Sequence, residues 1–86
     1  MGVVKVQMYA TSWCPYCERA RRLLRGKHVD FEEIDVEERP EAREEMTARS
    51  GRRTVLQIFI GERHVGGSDE LYDLDAAGGL DPLLNP

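Results

Sequence analysis

Eighty-six residues, 41% of them hydrophobic, can close around one modest core and leave no length for a second, so residues 1–86 are expected to form a single domain. A formal net charge of −4 counts against nucleic acid as a partner, because phosphate recognition needs a basic surface. No charged segment followed by an apolar stretch opens the chain, and no apolar run reaches the length of a membrane span. A cytoplasmic protein with no membrane partner is therefore expected.

Val3 to Tyr9 carries β-branched and aromatic residues with little polarity, as a strand covered on both faces does. The next stretch, Trp13-Cys14-Pro15-Tyr16-Cys17, holds both cysteines of the chain. Pro15 suits the first turn of a helix, and Cys17, Ala20, Leu23 and Leu24 recur at helical spacing to about Arg25, with Gly26 expected as a left-handed cap. Cys14 then falls at the helix N-terminus, where unpaired N–H groups and the helix dipole favour a thiolate. Cys17, one turn further on, lies on the same face. Two such cysteines in a reducing compartment point to redox chemistry or metal binding, with Cys14 as nucleophile and Cys17 as its resolving partner. A structural zinc site is disfavoured, since two cysteines supply half a ligand set and His28 and His64 lack finger spacing. The basic run Arg19, Arg21, Arg22, Arg25, Lys27 is expected to be a solvated helix face.

Phe31 to Val36 is expected to be a second strand, parallel to the first, which closes a βαβ unit. Pro40 to Ser50 has a proline and glutamates at its start, Arg49 near its end and Gly51 just beyond, the pattern of a polar helix. Val55 to Ile60 is a strand, and Gly61-Glu62-Arg63 turns it into His64-Val65 as a hairpin. Ser68-Asp69-Glu70 is expected to cap a third helix that carries Leu71, Leu74 and Ala77 on one face and stops at Gly78-Gly79. The tail, Leu80 to Pro86, should pack its leucines back on the body. The order β-α-β-α-β-β-α describes an α/β sandwich with a mixed sheet.

Cys14-Pro15-Tyr16-Cys17, Thr54-Val55 before the strand Gln57-Ile58-Phe59-Ile60, Gly66-Gly67-Ser68-Asp69, Tyr72-Asp73-Leu74 and Gly78-Gly79-Leu80-Asp81 together resemble a dithiol glutaredoxin of the thioredoxin-like superfamily. The resemblance implies a three-layer sandwich on a four-stranded mixed sheet. It also implies a glutathione-dependent thiol–disulfide oxidoreductase serving cell redox homeostasis. In that likeness Cys14 attacks and carries glutathione as a mixed disulfide, and Cys17 resolves protein disulfides. Tyr16 lines the glutathione groove, Thr54 and Val55 present backbone groups to the tripeptide, and Ser68 with Asp69 holds its γ-glutamyl end. The implied partners are glutathione and disulfide-containing or glutathionylated proteins, with the chain a monomer. The alternative is a [2Fe-2S] cluster bridged by Cys14 of two chains with glutathione, which requires a dimer. Trp13 is assigned equally to packing and to substrate contact.

Two positions depart from the family. Thr11 stands where a lysine is common, with Arg52 or Arg53 as candidate substitutes for its charge. Leu56 stands where the family has a cis-proline facing the cysteines. A cis bond before a non-proline residue costs about 2.5–4 kcal/mol, so Val55–Leu56 is expected to be trans, with the loop rearranged, glutathione positioning weakened and less steric guard against cluster ligation by Cys14.

Overall fold

The first strand decides the layering, because its side chains divide between two cores. In the computed structural model, which describes residues 4–85, β1 (Val6–Ala10) sends Val6, Met8 and Ala10 to one cluster and Tyr9 to the other. β3 (Gln57–Ile60) does the same with Ile58 and Ile60 against Phe59. That period-2 division buries both faces of the central strands, which is why neither reads as a simple polar–apolar alternation. The larger core is closed by α1 (Pro15–Gly26) through Cys17, Ala20 and Leu24, by α3 (Ser68–Ala76) through Leu71, and by a short α4 (Leu80–Leu84) through Leu80 and Leu84. The smaller core lies under α2 (Pro40–Ser50), whose Ala42 and Met46 meet Tyr9, Ile34, Val36 and Phe59.

The sheet has the order β2-β1-β3-β4. β2 (Glu32–Asp35) runs parallel to β1, while β3 is antiparallel to β1 and pairs with β4 (Arg63–Gly66) as a hairpin. The sheet is thus mixed and lies between two helical layers, as the sequence predicts.

Several boundaries differ. The strand expected from Val3 begins at Val6, with Val3 outside the described residues, and Pro86 at the end of the tail is outside them too. Gly26 is helical, and the positive φ after α1 falls on His28 (φ 58), because Lys27 first closes the turn onto Leu23 and Leu24. Gly51, expected just past the end of α2, is its C-cap and takes the left-handed conformation (φ 75). The third helix is capped by Gly67 rather than Ser68: Ser68 is already helical and buried, and Glu70 accepts the Gly67 N–H at 2.8 Å. The tail adds an eighth element, α4.

The Val55–Leu56 peptide bond is cis, contrary to the expectation of trans. The local preference of the bond loses to tertiary context, since Leu56 is carried into the larger core at the entry to β3. With the bond cis, the ground for expecting a rearranged loop is removed, and Leu56 sits in the cluster that contains Cys17 and against which Cys14 packs.

Candidate functional site

Cys14 is the N-cap of α1, with extended backbone (φ −154, ψ 108) and Pro15 in the first turn behind it. Its Sγ accepts a hydrogen bond from the Cys17 amide N–H at 3.3 Å. The sulfur thus takes the place of a capping oxygen and satisfies one orphan amide of the first turn. Cys17 lies one turn deeper with no exposed surface, and both cysteines are free thiols. Burial, then the hydrogen bond with Cys14, pushes the Cys17 thiol up to about 12. One sulfur sits at the rim and its partner is a protonated thiol beneath it, so the arrangement can attack a disulfide and then close on itself.

The aromatic neighbours stand in water. Trp13 is 88% exposed and Tyr16 58%, so the packing role for Trp13 is not what the chain builds. A cleft of about 310 Å³ beside Cys14 is lined by Ser12, Trp13, Pro15, Glu18 and Arg21. A larger cleft, about 440 Å³, runs along α2 between Arg43 and Arg53 and touches neither cysteine. Arg21 is not part of a solvated face: only 12% of its side chain is exposed, because Glu33 takes it through two hydrogen bonds at 2.7 and 2.6 Å and Glu18 through a third at 3.1 Å. The Glu33 bonds hold the guanidinium above its ordinary value, and its positive charge favours ionisation of Cys17. Arg19, Arg22 and Arg25 lie on the exposed surface as expected.

The 54–56 loop lies against the start of α3. A Cβ placed on Gly67 would lie 3.5 Å from the Leu56 carbonyl oxygen, so these segments touch through their backbones. Leu56 is part of the core cluster that contains Cys17 and against which Cys14 packs. Thr54 is exposed and Val55 half-buried. Asp69 is exposed on the first turn of α3, where Arg19 Nη1 approaches it at 3.5 Å. Arg52 is bound to Glu70 at 3.1 Å, while Arg53 forms no ion pair among the described residues.

Sequence reasoning missed three residues here. Arg19, already partnered with Asp69, was indistinguishable within a basic run. Glu70 gives one half of a capping box, and its partner is a glycine backbone that no pattern marks. Gln57, 2% exposed, was the one polar residue in an apolar strand, and that was the available signal. Among the described residues no three His, Cys, Asp or Glu side chains converge as a metal site, so a bridged cluster would need a second chain and an outside ligand.

A strand-to-helix dithiol with one sulfur exposed and one buried, on this layered sheet, defines the chain as a thioredoxin-like thiol–disulfide oxidoreductase. The glutaredoxin family model matches residues 6–65. The chain is 54% identical to Glutaredoxin 3 of Escherichia coli strain K12 over 82 residues, covering 95% of this chain and 99% of the relative. Its fold matches the solution structure of the Brucella melitensis glutaredoxin with a TM-score of 0.84 and 52% identity, over 98% of this chain and 91% of that one. A buckwheat glutaredoxin–glutathione complex matches at TM-score 0.86 and 25% identity, over 94% and 76%. The chain belongs to the glutaredoxin family.

Proposed function

We propose that this oxidoreductase uses glutathione, and that Cys14 and Cys17 carry the two steps. The Cys14 thiolate attacks the glutathionyl sulfur of a mixed disulfide, forms Cys14–glutathione, and releases the substrate as a thiolate that takes a proton from water. A second glutathione thiolate attacks that sulfur, leaves as glutathione disulfide, and returns Cys14. With a protein disulfide, the Cys14 thiolate attacks one sulfur, breaks the S–S bond and expels the other sulfur as the first protein thiolate, which takes a proton from water, so that Cys14 is joined to the protein. Cys17 then loses its proton and attacks Cys14 Sγ, which expels the second protein thiolate and leaves a Cys14–Cys17 disulfide for two glutathiones to reduce.

The observation that carries this reading is the Cys17 N–H to Cys14 Sγ bond at the start of α1, with the Cys17 thiol buried below. Burial is the main reason Cys17 holds its proton, and the hydrogen bond with Cys14 adds to it. Once Cys14 is in a disulfide that second contribution disappears, so Cys17 deprotonates more readily when it is needed. The buckwheat complex shows that a protein of this fold holds glutathione, and the exposed Tyr16, Thr54 and Asp69, with Val55 and the helical start at Ser68, give the groove suitable chemistry. A helix N-terminus suits a carboxylate, an acidic side chain an ammonium, and exposed backbone an extended peptide.

The test is a glutathione-coupled assay on two substrates, a small glutathione mixed disulfide and a protein disulfide. Cys14→Ser should abolish both activities, and Cys17→Ser should retain the first while losing most of the second. Turnover by Cys14→Ser, or none by the wild type, would sink the proposal.

A further inference from the structure

The start of β3 holds a part-buried polar chain that the two sulfurs do not explain. Gln57 opens β3 one residue after Leu56, and its Nε2 donates to the Thr54 carbonyl oxygen at 2.9 Å. On its other side Oε1 lies 2.6 Å from His64 Nε2 on β4. The proton assignments follow from chemistry. A carbonyl oxygen can only accept, so the Gln57 nitrogen faces Thr54, its oxygen faces His64, and His64 Nε2 carries the hydrogen. The Phe59 ring, 5.0 Å away, backs the imidazole.

This chain orients a peptide plane. Among the described residues the one cis bond is Val55–Leu56, so the Thr54–Val55 unit is trans and its C=O and N–H point in opposite directions. With the Thr54 oxygen held by Gln57, the Val55 N–H points away from Gln57. Among the described residues it donates to no other group. We propose that Gln57, oriented by His64, is a positioning residue that aims the Val55 N–H at a backbone carbonyl of bound glutathione. The inference rests on the glutathione reading above and assigns to it a residue that touches neither substrate nor sulfur.

Gln57→Met keeps the length of the side chain and removes its donor. Steady-state kinetics with a glutathionylated peptide should show KM raised about three- to tenfold, the range for one lost hydrogen bond, with kcat within about twofold of wild type. The rate of Cys14 alkylation by iodoacetamide should not change, since the cysteine end is untouched. His64→Gln, whose amide can donate to Gln57 Oε1, should keep the wild-type KM, and His64→Leu should raise it. If Gln57→Met folds poorly by circular dichroism, the two His64 variants decide: equal KM values overturn the role. A wild-type KM in a folded Gln57→Met also overturns it, as does a raised KM accompanied by a matching fall in kcat and in alkylation rate. A wild-type protein without glutathione-dependent turnover overturns both proposals, whereas wild-type turnover with an unchanged Gln57→Met KM overturns the positioning role alone.

Discussion

On the proposed glutathione reading, the carboxylate that would receive a γ-glutamyl ammonium is already engaged. Asp69 faces Arg19, which also lies over the Tyr72 ring at 5.0 Å, while the Tyr72 hydroxyl donates to the Arg19 carbonyl at 3.0 Å. Both charged groups are largely exposed, so their attraction is at most about 1 kcal/mol, a competition that a ligand ammonium can win. Arg19→Ala should therefore lower the KM for a glutathione mixed disulfide by about two- to threefold, and Asp69→Asn should raise it. If neither variant moves KM, Asp69 does not bind the ligand. Gly66-Gly67-Ser68 singles out Asp69 as a candidate in the sequence, whereas Arg19 was hidden among four arginines of one helix. Arg21 was hidden in the same way: spacing put it on the outer face, and only Glu33 of the neighbouring strand explains why it is shielded.

At the level of elements, the turn from β4 into α3 depends on a close approach. Gly66 has φ 113, and a Cβ there would lie 2.5 Å from the Glu70 carboxylate that caps the Gly67 N–H. Gly66→Ala should cost about 1–3 kcal/mol in urea unfolding, from the backbone conformation and the displaced cap together. Glu70→Ala should cost about 1 kcal/mol. The double variant should cost less than the sum, because the cap is lost only once. Simple addition of the two effects would show that the cap and the glycine act separately. The type and order of the first seven elements were legible from periodicity, prolines and glycines. Their ends were not, since the Gly67 cap uses a side chain three residues on, and α4 was missed because its five residues carry too little pattern to separate from a tail. Leu56 was recognised as unusual, but its bond geometry was misjudged because local cost was weighed without the core it enters.

Across the whole molecule, stability should fall on both sides of a plateau at about pH 7–9. The backbone N–H of Gly67 holds the Glu70 carboxyl below its ordinary 4.5, and Arg21 does the same for Glu33. Burial, helped by Arg52, lowers the His64 imidazole from 6.5. All three bind protons more weakly in the folded chain, so acid favours unfolding. The His64 contribution is complete above 6.5 and the carboxylate contributions above 4.5, and each is lost as pH falls through the lowered value. On the alkaline side the sign reverses. Cys17 is raised from 9.0 to about 12 by burial, Tyr9 is raised from 10.0 chiefly by burial, and Lys27 is raised from 10.5 by Asp75 and then Asp81. Their stabilisation is full below those ordinary values and is lost as pH climbs through the raised ones. Urea midpoints measured from pH 4 to about 11 should show both limbs, with Cys17→Ser flattening the alkaline one. An alkaline limb unchanged by that substitution would mean the buried thiol does not limit stability there.

Trp13, the single tryptophan of the chain, stands 88% exposed beside Cys14. Its indole is already in water when the chain is folded, so its fluorescence should barely register unfolding. Anything that docks beside the nucleophile takes that ring out of solvent and changes its emission. The molecule thus carries an optical reporter that records occupancy of the cysteine end and is nearly blind to stability, which separates two quantities that most intrinsic tryptophan signals confuse.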